Sequence, residues 1–184
     1  LVTAVGATRA ASWDAMTHGR CGIGPVTVFD PTGFRSTIAA EIALDGVVSS
    51  LTARERRRWS RGDQIGVVAA DEALADSGLL EGADRSRIGV LLGAGTADLI
   101  RNERYHRALV RGEGRRPRPS DAWNHFASTL ADLIAERHGL EGMRSCVAAA
   151  CASSTIAIGQ GIDAIRAGRL DAAIVGGADA LARL

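Results

Sequence analysis

The feature that most constrains the fold is a set of short, entirely apolar segments that alternate with segments of helical periodicity. "RIGVLLGAG" (Arg87–Gly95) and "LDAAIVGG" (Leu170–Gly177) contain continuous apolar runs, which begin after Arg87 and Asp171 and close on glycine. Such runs are typical of strands buried on both faces of a sheet. "MRSCVAAA" (Met143–Ala150) is a third predicted strand. Strands that alternate with helices predict an α/β layered fold with a largely parallel sheet between helices.

The first part of the chain has weaker signals. Leu1–Ala7 is predicted to be a short buried strand, and Ser12 to be the N-cap of the helix that follows it. Cys21–Phe34 is rich in Gly and Pro and is predicted to be a loop, whereas the residues of Ser36–Ile42 favour a strand.

The clearest helix signal covers Leu51–Leu79. Thr52 and Glu55 have the spacing of a capping box, and Gly78 is a typical helix end. The other predicted helices are Leu99–Gly112, Ser120–Gly139 and Ser153–Ala167.

Composition narrows the function classes. The 184 residues suffice for one sizeable domain or for half of a larger one. A net charge of +1 argues against a nucleic-acid binder. No apolar run is long enough to span a membrane, so we expect no membrane partner, and we also expect no signal peptide. The three cysteines show no disulfide pattern, so a reducing cytoplasm is the expected compartment. Every basic residue is Arg, which excludes Schiff-base chemistry on a lysine of this chain.

The charge run Arg54–Arg61 has two interpretations. It is either the solvated start of a helix or a docking face for an acidic partner, and the sequence leaves both open.

The three cysteines do not form a disulfide framework. They are odd in number, and no Cys/His cluster has the spacing of a zinc site, so we expect no metal. Cys151 lies where a buried strand is predicted to turn into a helix. A helix N-terminus favours a thiolate, which makes a cysteine there a candidate nucleophile. The alternative is a small buried cysteine that fills space. Cys146 is expected in the core, and Cys21 in a loop without a role.

The local pattern around Cys151 supports the nucleophile hypothesis. Its neighbours are Ala and Ser, which suits a tight strand-to-helix turn and access of a substrate to the sulfur. The backbone N–H of Cys151 is a candidate donor to an oxyanion formed at an attacked carbonyl. A proton-transferring partner is not evident, because His18, His106, His125 and His138 lie in no recognisable catalytic motif.

The block "ACASSTIAIGQGIDAIRAGRLDAAIVGGADAL" (Ala150–Leu181) resembles the active-site block of the β-ketoacyl-ACP synthase family. Shared features are the Ala-Cys-Ala-Ser turn, the Ala-Ile helix, and the strand that ends in Gly-Gly-Ala. Three earlier blocks, Trp13–Asp30, Val68–Leu79 and Arg87–Gly95, resemble that family in the same order. The resemblance covers nearly the whole chain.

This resemblance implies the thiolase fold, in which two similar halves form five layers, α/β/α/β/α. Residues 1–184 would be the first, N-terminal half. The resemblance makes Cys151 the nucleophile that takes an acyl group from the phosphopantetheine thioester of an acyl carrier protein. The acyl group then condenses with a decarboxylated malonyl unit, in fatty-acid or polyketide synthesis. The family's catalytic histidines, its lysine and its second oxyanion donor belong to the later half. No cofactor would be bound by the chain itself.

Two positions depart from the family pattern. The turn after the third family strand is usually Gly-Ile-Gly-Gly-like, whereas this chain has "GTADL" (Gly95–Leu99). Thr96 thus falls where an aliphatic residue often lines the acyl pocket, and we expect it to influence acyl length. Asp179 replaces a more usual Glu. Because Cys151 is retained, the chain does not resemble the chain-length-factor subunits that lack this cysteine.

The resemblance also implies a dimer, either a homodimer or a ketosynthase-type heterodimer, joined by antiparallel pairing of the strand Met143–Ala150. Two alternatives stay open. Another thiolase-fold acyl-thioester enzyme is one, and a non-catalytic dimer partner or degenerate half-domain is the other.

Overall fold

The computed structural model of the chain describes residues 1–94, 99–112 and 129–183. The strands are β1 (Ile23–Pro25), β2 (Ile38–Ala40), β3 (Ile88–Gly93), β4 (Arg144–Val147) and β5 (Ala172–Gly177). The helices are α1 (Arg9–Thr17), α2 (Leu44–Val47), α3 (Ala53–Arg58), α4 (Arg61–Ser77), α5 (Leu99–Arg111), α6 (Thr129–His138) and α7 (Ser153–Arg166). Short 3₁₀ turns cover Val48–Ser50, Arg85–Arg87 and Ala150–Ala152.

The predicted parallel sheet is confirmed. Its described strands lie in the order β4-β3-β5, and β3 runs parallel to both neighbours. Every residue of β3 is buried, as its continuous apolar sequence predicts. β5 is only partly buried, because it pairs with a strand on one side only among the described residues.

Each face of this sheet packs against helices. Ile88, Val90 and Leu92 of β3 belong to a core cluster with residues of α4 and α6. Leu91 points the other way, as strand alternation requires, and packs with Ala164 of α7. The described chain is therefore layered α/β/α. Helices α4 and α6 pack on one face of β3, and α7 packs on the other.

Helix α7 is apolar on two neighbouring sides, about 100° apart around its axis. Its sheet-facing side is made of small buried residues, Ala157, Gly161 and Ala164. The other side carries Ile158, Ile162 and Ile165, which are 43%, 44% and 42% exposed and follow i, i+4, i+7 spacing. We call these three residues the isoleucine stripe. The isoleucine stripe widens the apolar part of α7 beyond the side that packs on the sheet, which leaves an apolar surface for a further layer to cover.

The predicted helix Leu51–Leu79 is wrong as a single element, because the structure divides it at Trp59 into α3 and α4. The Thr52–Glu55 capping box begins α3, as predicted. A second capping box, in which Ser60 and Asp63 bond each other's backbone N–H, begins α4 and interrupts the first helix.

The strand predicted at Leu1–Ala7 is also wrong. The backbones of Thr3 and Gly6 bond each other, which folds the segment into a turn, and no described strand lies beside it. Ser12 is not an N-cap: Thr8 caps α1, and Ser12 is buried inside it with its hydroxyl bonded to the Gly6 carbonyl oxygen at 3.1 Å.

The predicted loop Cys21–Phe34 contains β1, which pairs antiparallel with β2 inside the β-prone segment. The predicted helices Leu99–Gly112 and Ser153–Ala167 are confirmed as α5 and α7. Ser120, the predicted start of the helix that ends as α6, lies outside the described residues. No helix in the described ranges has the length and apolar character needed to cross a membrane.

Candidate functional site

Cys151 lies at the turn between β4 and α7, as the sequence predicts. It is the central residue of the 3₁₀ turn Ala150–Ala152, and α7 begins two residues later at Ser153. Cys151 is exposed, whereas the space-filling alternative expects a buried cysteine. The N-cap of α7, Ala152, provides no side-chain hydrogen bond to the helix N-terminus.

The backbone of this turn has an unusual conformation. Ala150 has a φ of 48°, in the left-handed region, and is the one described residue other than glycine with a positive φ. The side chain of Ser153 closes the turn: its hydroxyl accepts from the Ala149 N–H at 2.8 Å and donates to the Ala150 carbonyl oxygen at 2.7 Å. The backbone N–H of Cys151 donates to no acceptor in the described part of the chain, and its role as an oxyanion donor stays a prediction.

Two glycines at the carboxyl edge of the sheet let α7 approach closely. Gly93 ends β3 and Gly177 ends β5, and the two are register partners. A Cβ placed on Gly93 would lie 2.3 Å from the carbonyl carbon of Ser153, and one on Gly177 would lie 2.2 Å from the hydroxyl oxygen of Ser154. The sheet therefore holds the first turn of α7, and with it Cys151, at backbone contact distance.

The other two cysteines lie in different environments. Cys146 is half-buried within β4, and burial raises the pKa of its thiol, although a hydrogen bond with the Ala94 N–H acts in the opposite direction. Its predicted place in the core is therefore only partly confirmed. Cys21 is exposed in the segment before β1, as expected. A raised pKa makes Cys146 a weaker nucleophile at neutral pH.

The described histidines have partners away from Cys151. His18 bonds the Asp14 carbonyl oxygen at 2.8 Å, and the Nε2 of His138 lies 2.8 Å from Asp71 Oδ1. His106 packs edge-on against Tyr105. His125 lies outside the described residues. The structure therefore gives Cys151 no histidine partner within the described ranges.

Thr96 cannot be placed, because the turn at 95–98 lies outside the described residues. The described residues contain no group of three His, Cys, Asp or Glu side chains that could hold a metal ion. Sequence reasoning missed two residues of the turn. Ser153 was counted only as small, although a hydroxyl two residues after the cysteine was a signal. Gly93 was counted only as the end of a strand.

Comparison with known proteins identifies the family. Residues 1–183 match the family described as "Beta-ketoacyl synthase, N-terminal domain". The chain belongs to the β-ketoacyl synthase family. This confirms the resemblance of the Cys151 block and the thiolase-like fold class.

Relatives of this β-ketoacyl synthase chain come from polyketide and fatty-acid systems. It is 34% identical over 182 residues to the tetracenomycin polyketide synthase ketoacyl synthase alpha subunit of Streptomyces glaucescens, covering 95% of this chain and 43% of that protein. It is 29% identical over 180 residues to 3-oxoacyl-[acyl-carrier-protein] synthase 2 of Vibrio cholerae, covering 97% of this chain and 44% of that protein.

A solved structure agrees with this assignment. The ishigamide ketosynthase/chain length factor superposes with a TM-score of 0.81 at 27% identity, covering 99% of this chain and 46% of that chain. The chain thus spans less than half the length of the relatives it matches. It has the fold of the first half of the five-layer thiolase-like architecture.

Proposed function

We propose that this chain is the acyl-accepting half of a ketosynthase and that Cys151 is its nucleophile. The thiolate attacks the carbonyl carbon of a carrier-bound acyl thioester, a new C–S bond forms, and the phosphopantetheine thiol leaves. The carbanion left when a malonyl thioester loses CO₂ then attacks the acyl-enzyme carbonyl, and the Cys151 thiolate leaves. The observation that carries this proposal is the exposed Cys151 on a tight strand-to-helix turn, where its backbone N–H has no acceptor among the described residues.

The second half-reaction needs proton-transferring groups, and the structure places none of the described histidines at Cys151. The family resemblance assigns the catalytic histidines to a C-terminal half, so residues 1–184 form one N-terminal domain that is incomplete for condensation. The isoleucine stripe of α7 supports this domain assignment, because it leaves an apolar helix face for a further layer to cover. The relatives' names include a polyketide synthase and a 3-oxoacyl-[acyl-carrier-protein] synthase, and we propose fatty-acid or polyketide synthesis as the pathway.

Acyl loading tests the nucleophile. The purified chain is mixed with an acyl carrier thioester, and its intact mass is measured. We expect a gain of one acyl group that disappears in Cys151→Ala, while the matched variant Cys146→Ala still loads. Loading that survives Cys151→Ala would refute the nucleophile. Absence of loading in the unmodified chain would favour the non-catalytic half-domain, and equal loading from a coenzyme A thioester would favour a thiolase-type enzyme.

We propose that the acyl carrier protein, which brings its own phosphopantetheine, docks on α3. The arginines of α3, Arg54 and Arg56–58, are all exposed, and they precede the N-terminus of α4. That N-terminus lies beside the residues after β5, since a Cβ on Gly62 would lie 3.7 Å from the side chain of Ala180. The α3 arginines and Cys151 therefore lie at the same end of the molecule, at the carboxyl edge of the sheet. Positive charge at this end would attract an acidic carrier protein.

Charge reversal tests this docking face. Arg54→Glu together with Arg56→Glu should slow loading from the carrier thioester by on the order of tenfold and leave loading from a free pantetheine thioester unchanged. The matched control is Arg166→Glu with Arg169→Glu, at the opposite end of α7, which should change neither rate. Equal slowing by both pairs would refute a specific docking face.

We also propose that β4 joins two ketosynthase-type subunits, as the family resemblance implies. Val90 N–H and Ala94 N–H donate to the Met143 and Val147 carbonyl oxygens, so these residues of the β4 segment direct their backbone toward β3. The alternate residues, Arg144 and Cys146, direct their backbone N–H and C=O groups to the other edge of β4, which has no partner strand among the described residues. A ketosynthase/chain length factor pair among the solved relatives supports a heterodimer as one form. Cys146→Pro should abolish dimers in analytical ultracentrifugation, whereas Cys146→Ala should keep them.

The three free thiols suit the cytoplasm, which we propose as the compartment.

A further inference from the structure

The hydroxyl of Ser153 is committed to the turn that carries Cys151. Ser153 is only 4% exposed, and its hydroxyl makes two short hydrogen bonds of opposite sense. It accepts from the Ala149 N–H at 2.8 Å and donates to the Ala150 carbonyl oxygen at 2.7 Å. The Ser153 side chain thus fixes the backbone N–H of Ala149 and the carbonyl group of Ala150, the two residues that precede Cys151.

The residue held in this way has a conformation that needs support. Ala150 has a φ of 48°. The left-handed region is unfavourable for a residue with a Cβ, and such residues persist where the surroundings hold them. Because Ser153 bonds the Ala150 carbonyl, the hydroxyl stabilises this peptide orientation directly.

Ser153 is itself held by the sheet. The end of β3 leaves no room beside it, since a Cβ on Gly93 would lie 2.3 Å from the Ser153 carbonyl carbon. The rigid central strand therefore positions Ser153, and Ser153 positions the turn. The outcome is a turn in which the Cys151 N–H has no acceptor among the described residues and the thiol is exposed.

We propose that Ser153 is a positioning residue that sets the reactivity of Cys151 by locking the left-handed Ala149–Ala150 turn. The inference rests on the proposed function in one respect, namely that Cys151 is the nucleophile. Its physical content is independent of acyl transfer, because it concerns how the turn holds a thiol at the N-terminus of α7.

The test measures alkylation of each cysteine by iodoacetamide across a pH series, with peptide mapping by mass spectrometry. Ser153→Ala should lower the rate constant at Cys151 by on the order of threefold to tenfold and move its pH profile to higher pH. Ser153→Thr, which keeps the hydroxyl, should restore both. Ser154→Ala is the matched control, because the Ser154 hydroxyl has no hydrogen bond in the described ranges, and it should leave Cys151 unchanged.

Cys146 is the internal reference, since it lies on β4 and outside the turn. An unchanged Cys151 profile in Ser153→Ala, no restoration by Ser153→Thr, or an equal change at Cys146 would each overturn the proposal. If Ser153→Ala does not fold, Ala150→Gly is added to remove the backbone strain. The profile shift of the folded double variant, measured against Ala150→Gly alone, should then be smaller, because glycine adopts the left-handed φ without the hydroxyl, and an undiminished shift would also overturn the proposal. Alkylation separates this inference from the proposed function: a chain that alkylates as expected but accepts no acyl group would contradict the function alone.

Discussion

Gly93→Ala tests whether close packing of β3 against α7 positions the candidate nucleophile. The new Cβ would lie 2.3 Å from the carbonyl carbon and 2.7 Å from the carbonyl oxygen of Ser153, and 2.4 Å from the backbone N of Ser154. All three atoms are backbone, so no flexible side chain can move aside. Reaching even 3.0 Å requires a displacement of about 0.7 Å between β3 and the first turn of α7. Overpacking of this kind costs about 1–3 kcal/mol of unfolding free energy.

Gly93→Ala should slow acyl loading in addition to lowering stability. A displacement approaching 1 Å at a catalytic group can slow a reaction by on the order of a hundredfold. Urea denaturation measures the stability, and acyl loading of Cys151 measures the function. The matched control is Gly159→Ala, in the interior of α7 with no atom within 4 Å of the added Cβ. It should raise stability by about 0.5–1 kcal/mol. A Gly93→Ala variant with unchanged stability and unchanged loading would refute the reasoning.

Two further substitutions test other parts of the account. Ala150→Gly should stabilise the chain by about 0.5–1 kcal/mol in urea denaturation, because glycine adopts a φ of 48° without steric strain, and a loss of stability would contradict the strained turn. The hydrogen bond and charge of Arg87 lower the pKa of Asp171 below its ordinary value of 3.8. That ion pair therefore contributes stability above about pH 4 that is lost as pH falls through the lowered pKa. The difference in urea midpoint between the wild type and Asp171→Asn should shrink on acidification, and a constant difference across this range would contradict the ion pair's role.

The parallel sheet was predictable because burial on both faces leaves a direct mark on the sequence. β3 has six buried residues in succession, and its apolar run contains no alternation. The same property predicted β5 inside Leu170–Gly177, although β5 is less buried than expected because it is an edge strand of the described sheet.

The errors have two physical causes. Leu1–Ala7 has the composition of a strand, but a strand requires a neighbour to pair with, and composition does not say whether one is present. The break between α3 and α4 was visible as Ser60 followed by Asp63, a second capping box. The Thr52–Glu55 capping box obscured it, because that box marks a helix start and the apolar periodicity that follows lies entirely in α4.

The position of Cys151 followed from local pattern, whereas the role of Ser153 did not. A cysteine between a predicted strand and a predicted helix is visible in one dimension. The importance of the Ser153 hydroxyl depends on the left-handed Ala150 and on the close approach of Gly93, which are three-dimensional facts. Thr96 stays a prediction, since its turn is outside the described residues.

The measurement that tests the central claim most directly is the position of the acyl group after reaction with an acyl carrier thioester. The loaded wild-type chain is digested and the modified peptide is sequenced by tandem mass spectrometry. The account predicts one acyl group, carried by the sulfur of Cys151 and absent from Cys21 and Cys146. An acyl group on either of the other cysteines, with Cys151 unmodified, would contradict the account.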